Sequence, residues 1–118
     1  MVVDDNEFNL MTVTLLLKEY FECTYVEAMD GLEAVNAFKA DQAKTCCKNY
    51  FKIVFMDINM PVMDGIDSAI KINKYMKKIC KTGSCSIVAL TANQDKPSEQ
   101  KCLNAGMKEV LYKPIQVK

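Results

Sequence analysis

Apolar residues in this chain come in two alternating arrangements: short continuous runs, and longer stretches where they recur every three or four positions. Met1-Val2-Val3 is the first run and stops at Asp4-Asp5. Over 7–21, Phe8, Met11, Leu15, Leu16 and Tyr20 recur at helical spacing, and Thr24-Tyr25-Val26 reads as the next strand. Asp30-Gly31 is a turn signal, followed by a helix whose stripe is Leu32, Val35 and Phe38. Residues 41–50 are polar and irregular and are predicted to form a loop. Ile53-Val54-Phe55-Met56 is a wholly apolar strand, and Ile66, Ala69, Ile70, Met76 and Ile79 mark a helix that Lys81-Thr82-Gly83-Ser84 ends. Ile87-Val88-Ala89-Leu90 is a fourth strand, 97–105 a short helix closed by Gly106, and Val110-Leu111-Tyr112 a fifth strand. The order β-α-β-α-β-α-β-α-β, with strands apolar throughout, predicts a parallel sheet covered by helices on both faces.

Ligands of such sheets sit outside the carboxyl ends of the strands. Four of the five strands end on polar residues: Asp4-Asp5, Asp57, Thr91 and Lys113. Singly, each has an ordinary explanation: Asp5 as a helix cap, Asp57 as a turn cap, Thr91 as a turn former, Lys113 as a solvated charge. Together they make a chemical set. Three carboxylates in one cleft repel unless a cation joins them, and an all-oxygen set suits Mg²⁺. A carboxylate can also accept a phosphoryl group, for which Lys113 supplies positive charge and the Thr91 hydroxyl a hydrogen bond. Ala92 is small and leaves access open.

Composition narrows the alternatives. The 118 residues suffice for one domain, and Lys plus Arg equals Asp plus Glu at 15 each, so net charge suggests neither a nucleic-acid nor a membrane surface. No apolar run approaches the roughly 20 residues of a membrane span, and there is no signal-peptide pattern. The six cysteines form no C-x-x-C pair and the chain has no histidine, which argues against zinc and excludes Ser-His-Asp or Cys-His catalysis. Free thiols in a reducing cytosol are the expectation. The lysines at 71, 74, 77, 78 and 81 read as a solvated helix face, with partner docking a second reading, and Met56, Met60 and Met63 as packing and loop residues.

VVDDNEFN, FMDINMPVMDG, ALTA and YKP, taken jointly, resemble the receiver domain of two-component response regulators, and the resemblance covers nearly the whole chain. MDGLEAV and MDINMPVMDG look most like receivers of hybrid histidine kinases and phosphorelays. The resemblance implies a flavodoxin-like five-stranded parallel sheet in the order 2-1-3-4-5, and one receiver domain over 1–118, a piece of a longer protein. It implies that Asp57 accepts a phosphoryl group from a phosphohistidine on a histidine kinase or histidine phosphotransfer protein. Asp5 would bind Mg²⁺ (or Mn²⁺) directly, Asp4 mostly through water, and the Asn59 backbone carbonyl would complete the shell. Thr91 would be the switch hydroxyl and Lys113 the phosphate partner. Such a domain catalyses its own phosphorylation and dephosphorylation without turning over a small substrate. It is cytoplasmic, though its parent protein can be membrane-anchored.

The chain departs from the family pattern in two places. Many receivers carry Phe or Tyr three residues before the lysine, where this chain has Val110; Tyr112, next to the lysine, is expected on the other face of the strand. Only four residues follow Pro114, so the fifth helix is expected to be missing or truncated, which would leave sheet area open to self-association. Two rival readings stand beside this one. A phosphohydrolase of the haloacid dehalogenase type also uses a strand-end Asp, but needs an acid two residues later, where this chain has Asn59. A pseudo-receiver would keep the fold as a binding module, usually after losing an acidic residue or the lysine. Asp64 is assigned to a turn or helix cap rather than to phosphate chemistry.

Overall fold

The computed structural model describes residues 1–21, 25–45, 50–60, 62–92 and 95–113. Along the chain run β1 (Val2–Val3), α1 (Glu7–Phe21), β2 (Glu27–Ala28), α2 (Gly31–Ala43), β3 (Ile53–Asp57), α3 (Gly65–Lys78), β4 (Ser86–Thr91), α4 (Lys96–Asn104) and β5 (Glu109–Tyr112). All neighbouring strands pair in parallel, in the order β2-β1-β3-β4-β5. This is the expected flavodoxin-like sheet. The region where a fifth helix would stand, after residue 113, lies outside the described residues.

Strand register sorts the core into two layers. Ala28, Val3, Met56, Ala89 and Val110 line up across all five strands and face α2, α3 and α4, packing with Phe38, Ile72 and Cys102. Val2 and Leu90 face the other way, onto Leu10 and Val13 of α1. β2 forms two residues later than its β-branched residues suggest. Tyr25 and Val26 are exposed, whereas Ala28 is fully buried opposite Val3, so pairing with the central strand overrides local propensity.

α1 differs most from expectation. Phe8, Met11, Leu15 and Tyr20 are all exposed, while Leu10, Val13 and Thr14 are buried. Apolar residues run round the whole helix, so spacing alone could not choose the inward face. The expected loop 41–50 begins one turn late, because α2 continues to Ala43. There buried Asp41 accepts hydrogen bonds from the Phe51 N–H and from Lys44, pinning the chain that leads into β3.

Met-Asp-Gly occurs twice, at 29–31 and 63–65, and both copies start a helix. Asp30 and Asp64 cap by accepting from the Glu33 and Asp67 N–H groups, which gives Asp64 the capping place expected of it. The glycines serve close approach. Gly31 N–H donates to Met63 O, Ser68 Oγ to Gly31 O and Gly65 N–H to Ile58 O, so the two helix starts and the end of β3 form one knot. A Cβ on Gly65 would collide with the Asp57 and Ile58 backbone. Gly65→Ala should therefore destabilise the fold by about 1–3 kcal/mol, read from urea unfolding. Unchanged stability would mean that the knot yields freely.

Candidate functional site

The knot and the sheet register bring the polar strand ends together. Asp4 follows β1, Asp57 closes β3, Thr91 closes β4 and Lys113 follows β5. Asp4, Asp57 and Thr91 are buried, while Asp5 is exposed. One carboxylate oxygen from each of Asp4, Asp5 and Asp57 lies within 4.8 Å of the others. Lys113 Nζ stands 3.1 Å from Asp4 Oδ2 and 3.2 Å from Asp57 Oδ1.

Each group is held by local bonds. The Asn6 N–H donates to Asp4 Oδ1 at 2.9 Å, and the Asn59 N–H donates to Asp57 Oδ1 at 3.3 Å. The Lys113 N–H donates to Thr91 O at 2.8 Å, extending the β4–β5 ladder into the site. Asn6, not Asp5, caps α1, through bonds from the Phe8 and Asn9 N–H groups. The ordinary capping explanation for Asp5 is thereby removed. Asn6 is a site neighbour that the strand-end pattern does not single out; its position just before a helical stretch is the signal that marks it.

The electrostatics match the geometry. Burial, then the neighbouring Asp4, pushes the Asp57 carboxyl up to about 6, against the opposing pull of Lys113 and the Asn59 N–H. Burial works to lower the Lys113 pKa, but its bonds to Asp4 and Asp57 outweigh that, so it is held above its ordinary value and stays charged. Because the folded-state pKa of Asp57 exceeds the unfolded value, the folded protein binds the extra proton between about pH 4 and 6, and stability falls as pH rises through that window. In EDTA at pH 7, Asp57→Asn should therefore be more stable than wild type by about 1–3 kcal/mol, with the gain vanishing below about pH 4. Equal urea midpoints at pH 7 would show that Lys113 already neutralises the cluster.

Three clustered carboxylates, one of them exposed, fit a hard divalent cation with oxygen ligands, and among the described residues no nitrogen or sulfur ligand joins the cluster. Beside such an ion Asp57 has the placement of a nucleophile and Lys113 that of a cation facing the transferred group. Asn59, exposed and two residues after Asp57, offers no acid there for hydrolysis of small phosphate esters. On β5, residues 110 and 112 are both partly buried whereas 109 and 111 are exposed. Tyr112 thus shares the α4-facing side with Val110, contrary to the expectation that it points to the other face, because residues two apart on a strand share a side. Its hydroxyl donates to Glu99 Oε2 of α4 at 3.0 Å.

A family model described as the response regulator receiver domain matches residues 1–118. The peroxide stress-activated histidine kinase mak2 of Schizosaccharomyces pombe is 31% identical over 114 residues, covering 95% of this chain and 5% of that protein. Hybrid signal transduction histidine kinase B of Dictyostelium discoideum is 34% identical over 123 residues, 98% of this chain and 6% of its own length. The chain thus spans about a twentieth of these curated relatives. Among solved structures, the Saccharomyces cerevisiae complex of the histidine phosphotransfer protein Ypd1 with the receiver domain of Ssk1 aligns with a TM-score of 0.83 at 29% identity, over 98% of this chain and 77% of that one. The receiver domain of the histidine kinase CKI1 of Arabidopsis thaliana, complexed with Mg²⁺, aligns with a TM-score of 0.80 at 26% identity, over 94% and 79%.

Proposed function

The chain belongs to the response regulator receiver domain family, and from that premise we propose that it takes a phosphoryl group onto Asp57 and changes shape in response. The observation that carries this reading is the placement of Asp57 at the end of β3, within 4.8 Å of two further carboxylates and 3.2 Å from Lys113. An Asp57 oxygen attacks phosphorus, and the P–N bond to the donor imidazole breaks, its electron pair remaining on nitrogen. Asp57 is ionised above about pH 6, so it needs no base. Lys113 exchanges its carboxylate contacts for a phosphoryl oxygen, and the Thr91 hydroxyl offers that group a hydrogen bond. Mg²⁺ bound by the carboxylates, with Mn²⁺ as a substitute, supplies further positive charge to the phosphoryl oxygens. Neither rival is favoured: position 59 offers no acid for hydrolysis, and neither the carboxylates nor the lysine of a working receiver is missing.

Roles within the metal set divide by what each oxygen already does. Both Asp4 oxygens are taken, one by the Asn6 N–H and one by Lys113, whereas Asp5 is exposed. This supports direct coordination by Asp5, with Asp4 acting through water and the Asn59 carbonyl completing the shell. Asp5→Ala should weaken Mg²⁺ binding by about tenfold or more in calorimetry, and Asp4→Ala by less. The reverse order would overturn the division.

The donor is a phosphohistidine on a histidine kinase or histidine phosphotransfer protein, a proposal supported by the Ypd1 complex of a similar receiver. The domain belongs in a longer polypeptide and works in the cytoplasm; no helix among the described residues is long and apolar enough to cross a membrane. Exposed Phe8, Met11 and Leu15 on one side of α1 support self-association. Intact-mass measurement after incubation with acetyl phosphate and Mg²⁺ tests the central reading. Gain of one phosphoryl group is expected; no gain, or steady hydrolysis of the donor without labelled protein, would overturn it.

A further inference from the structure

Two consecutive residues at the end of β5 face opposite ways with opposite attachments. The Lys113 side chain reaches into the carboxylate cluster, to Asp4 and Asp57. The Tyr112 side chain reaches outward and donates to Glu99, in the first turns of α4. The backbone between them is tied to β4: Tyr112 is the register partner of Thr91, and the Lys113 N–H donates to Thr91 O. This short segment therefore touches the phosphoryl site, the end of β4 and helix α4 at once.

We propose that Tyr112 is the positioning residue that couples occupancy of the phosphoryl site to α4, by a route running from Lys113 through the backbone to Tyr112 and then through its hydroxyl to Glu99. The inference rests on the receiver reading above and names how that site signals. With no phosphoryl group, Lys113, which follows the edge strand β5, reaches past β4 to bridge two carboxylates at the ends of the adjacent strands β1 and β3. With a phosphoryl group on Asp57, new acceptor oxygens stand beyond the end of β3, and the lysine follows them. Its amide is fixed to Thr91, so the move is shared by the ends of β4 and β5. Tyr112 carries it to α4 because the hydroxyl has a fixed acceptor there. Val110, two residues earlier on the same side, is packed in the core with no polar group to pass anything on. A ligand shifts such an equilibrium only through contacts that differ between the two states, and the contacts of Lys113 are the ones that change.

α4 is suited to receive the signal. Only Cys102 among its helical residues is buried, with Ala105 just beyond its end, so its C-terminal end is anchored in the core. Its N-terminal end is exposed at Lys96 and Pro97 and is organised by the Asp95 cap, which accepts from the Ser98 N–H, and by the Glu99–Tyr112 bond. A helix anchored at one end and tethered at the other pivots when the tether moves.

The test is amide hydrogen exchange on wild type, Tyr112→Phe, Glu99→Gln and Glu99→Leu, each with Mg²⁺ alone and with Mg²⁺ plus beryllofluoride as the phosphoryl mimic. In wild type, beryllofluoride is expected to change exchange both in 57–60, at the site, and in 96–104, in α4. Tyr112→Phe and Glu99→Leu should bind beryllofluoride within about twofold of wild type and keep the change at 57–60, yet lose at least about half of the change at 96–104. Glu99→Gln keeps an acceptor oxygen and should respond like wild type, whereas a merely packing role for the tyrosine would leave the α4 response undiminished in Glu99→Leu as well. An undiminished α4 response in Tyr112→Phe overturns the route, as does a wild type that changes at 57–60 but not at α4. A wild type that does not bind beryllofluoride at all overturns the receiver reading itself, and is told apart by the silence at 57–60.

Discussion

Asp57→Asn will take up no phosphoryl group from acetyl phosphate under conditions that label the wild type to completion. The substitution nearly preserves shape but replaces an ionised oxygen with an amide that is a very poor nucleophile. Asp4 and Asp5 remain nearby, so the experiment also asks whether position matters. Asp4 has both oxygens engaged, by Asn6 and Lys113, and Asp5 lies outward in solvent. Neither faces Lys113 from the end of β3 as Asp57 does. The expected loss is complete within detection in the mass spectrum, while circular dichroism and urea unfolding show an intact, somewhat stabilised fold. Labelling of the variant at the wild-type level would place the acceptor elsewhere.

Chelation should have an effect of comparable size. The transferred group carries negative charge into a cluster that already holds three carboxylates and, among the described residues, one lysine. Without a further cation that approach is repulsive, and electrostatic stabilisation of this kind is worth several kcal/mol. Adding EDTA should slow phosphorylation by at least about a hundredfold, with recovery on adding excess Mg²⁺ and equal or partial recovery with Mn²⁺. An EDTA-insensitive rate would mean that Lys113 and the backbone donors suffice, and the carboxylates would then need another explanation.

Much of this architecture was legible in the pattern of apolar runs. β4 is buried on both sides and β3 is buried at Val54, Met56 and Asp57, with Ile53 exposed at its start; their apolar runs are unbroken, and their ends, Asp57 and Thr91, stand out where the pattern stops. The strand-end rule gathers Asp4, Asp5, Asp57, Thr91 and Lys113 from the pattern alone, and the sheet brings the ends that carry them side by side. Other features depended on partners distant in sequence. α1 is apolar all round, so only its contact with Val2 and Leu90 decides that Leu10 and Val13 face inward. β2 is placed by Val3, not by the β-branched residues beside it. Asp41 reads as a loop residue until the Phe51 N–H arrives from ten positions away. The side on which Tyr112 lies needed only correct counting along the strand, but its bond to Glu99 required the position of α4.

β1 consists of Val2 and Val3, yet it is an inner strand, joined to each neighbour by two register pairs, whereas β3 and β4 share five. The sheet is therefore unequally sewn: a long seam through β3, β4 and β5, and a short one holding β1 and β2 to it. Stability under native conditions is distributed in the same way, and the short seam opens at lower free energy than the long one. The carboxylate cluster straddles this boundary, with Asp4 and Asp5 on the weakly sewn side and Asp57 and Lys113 on the other. A cation or phosphoryl group held by both sides acts as a stitch across the seam, raising the opening energy of β1 toward that of the whole sheet by mass action. Signalling and cooperative folding would then share one set of atoms, and a loaded site would melt as a single unit where the empty one frays first from β1 and β2.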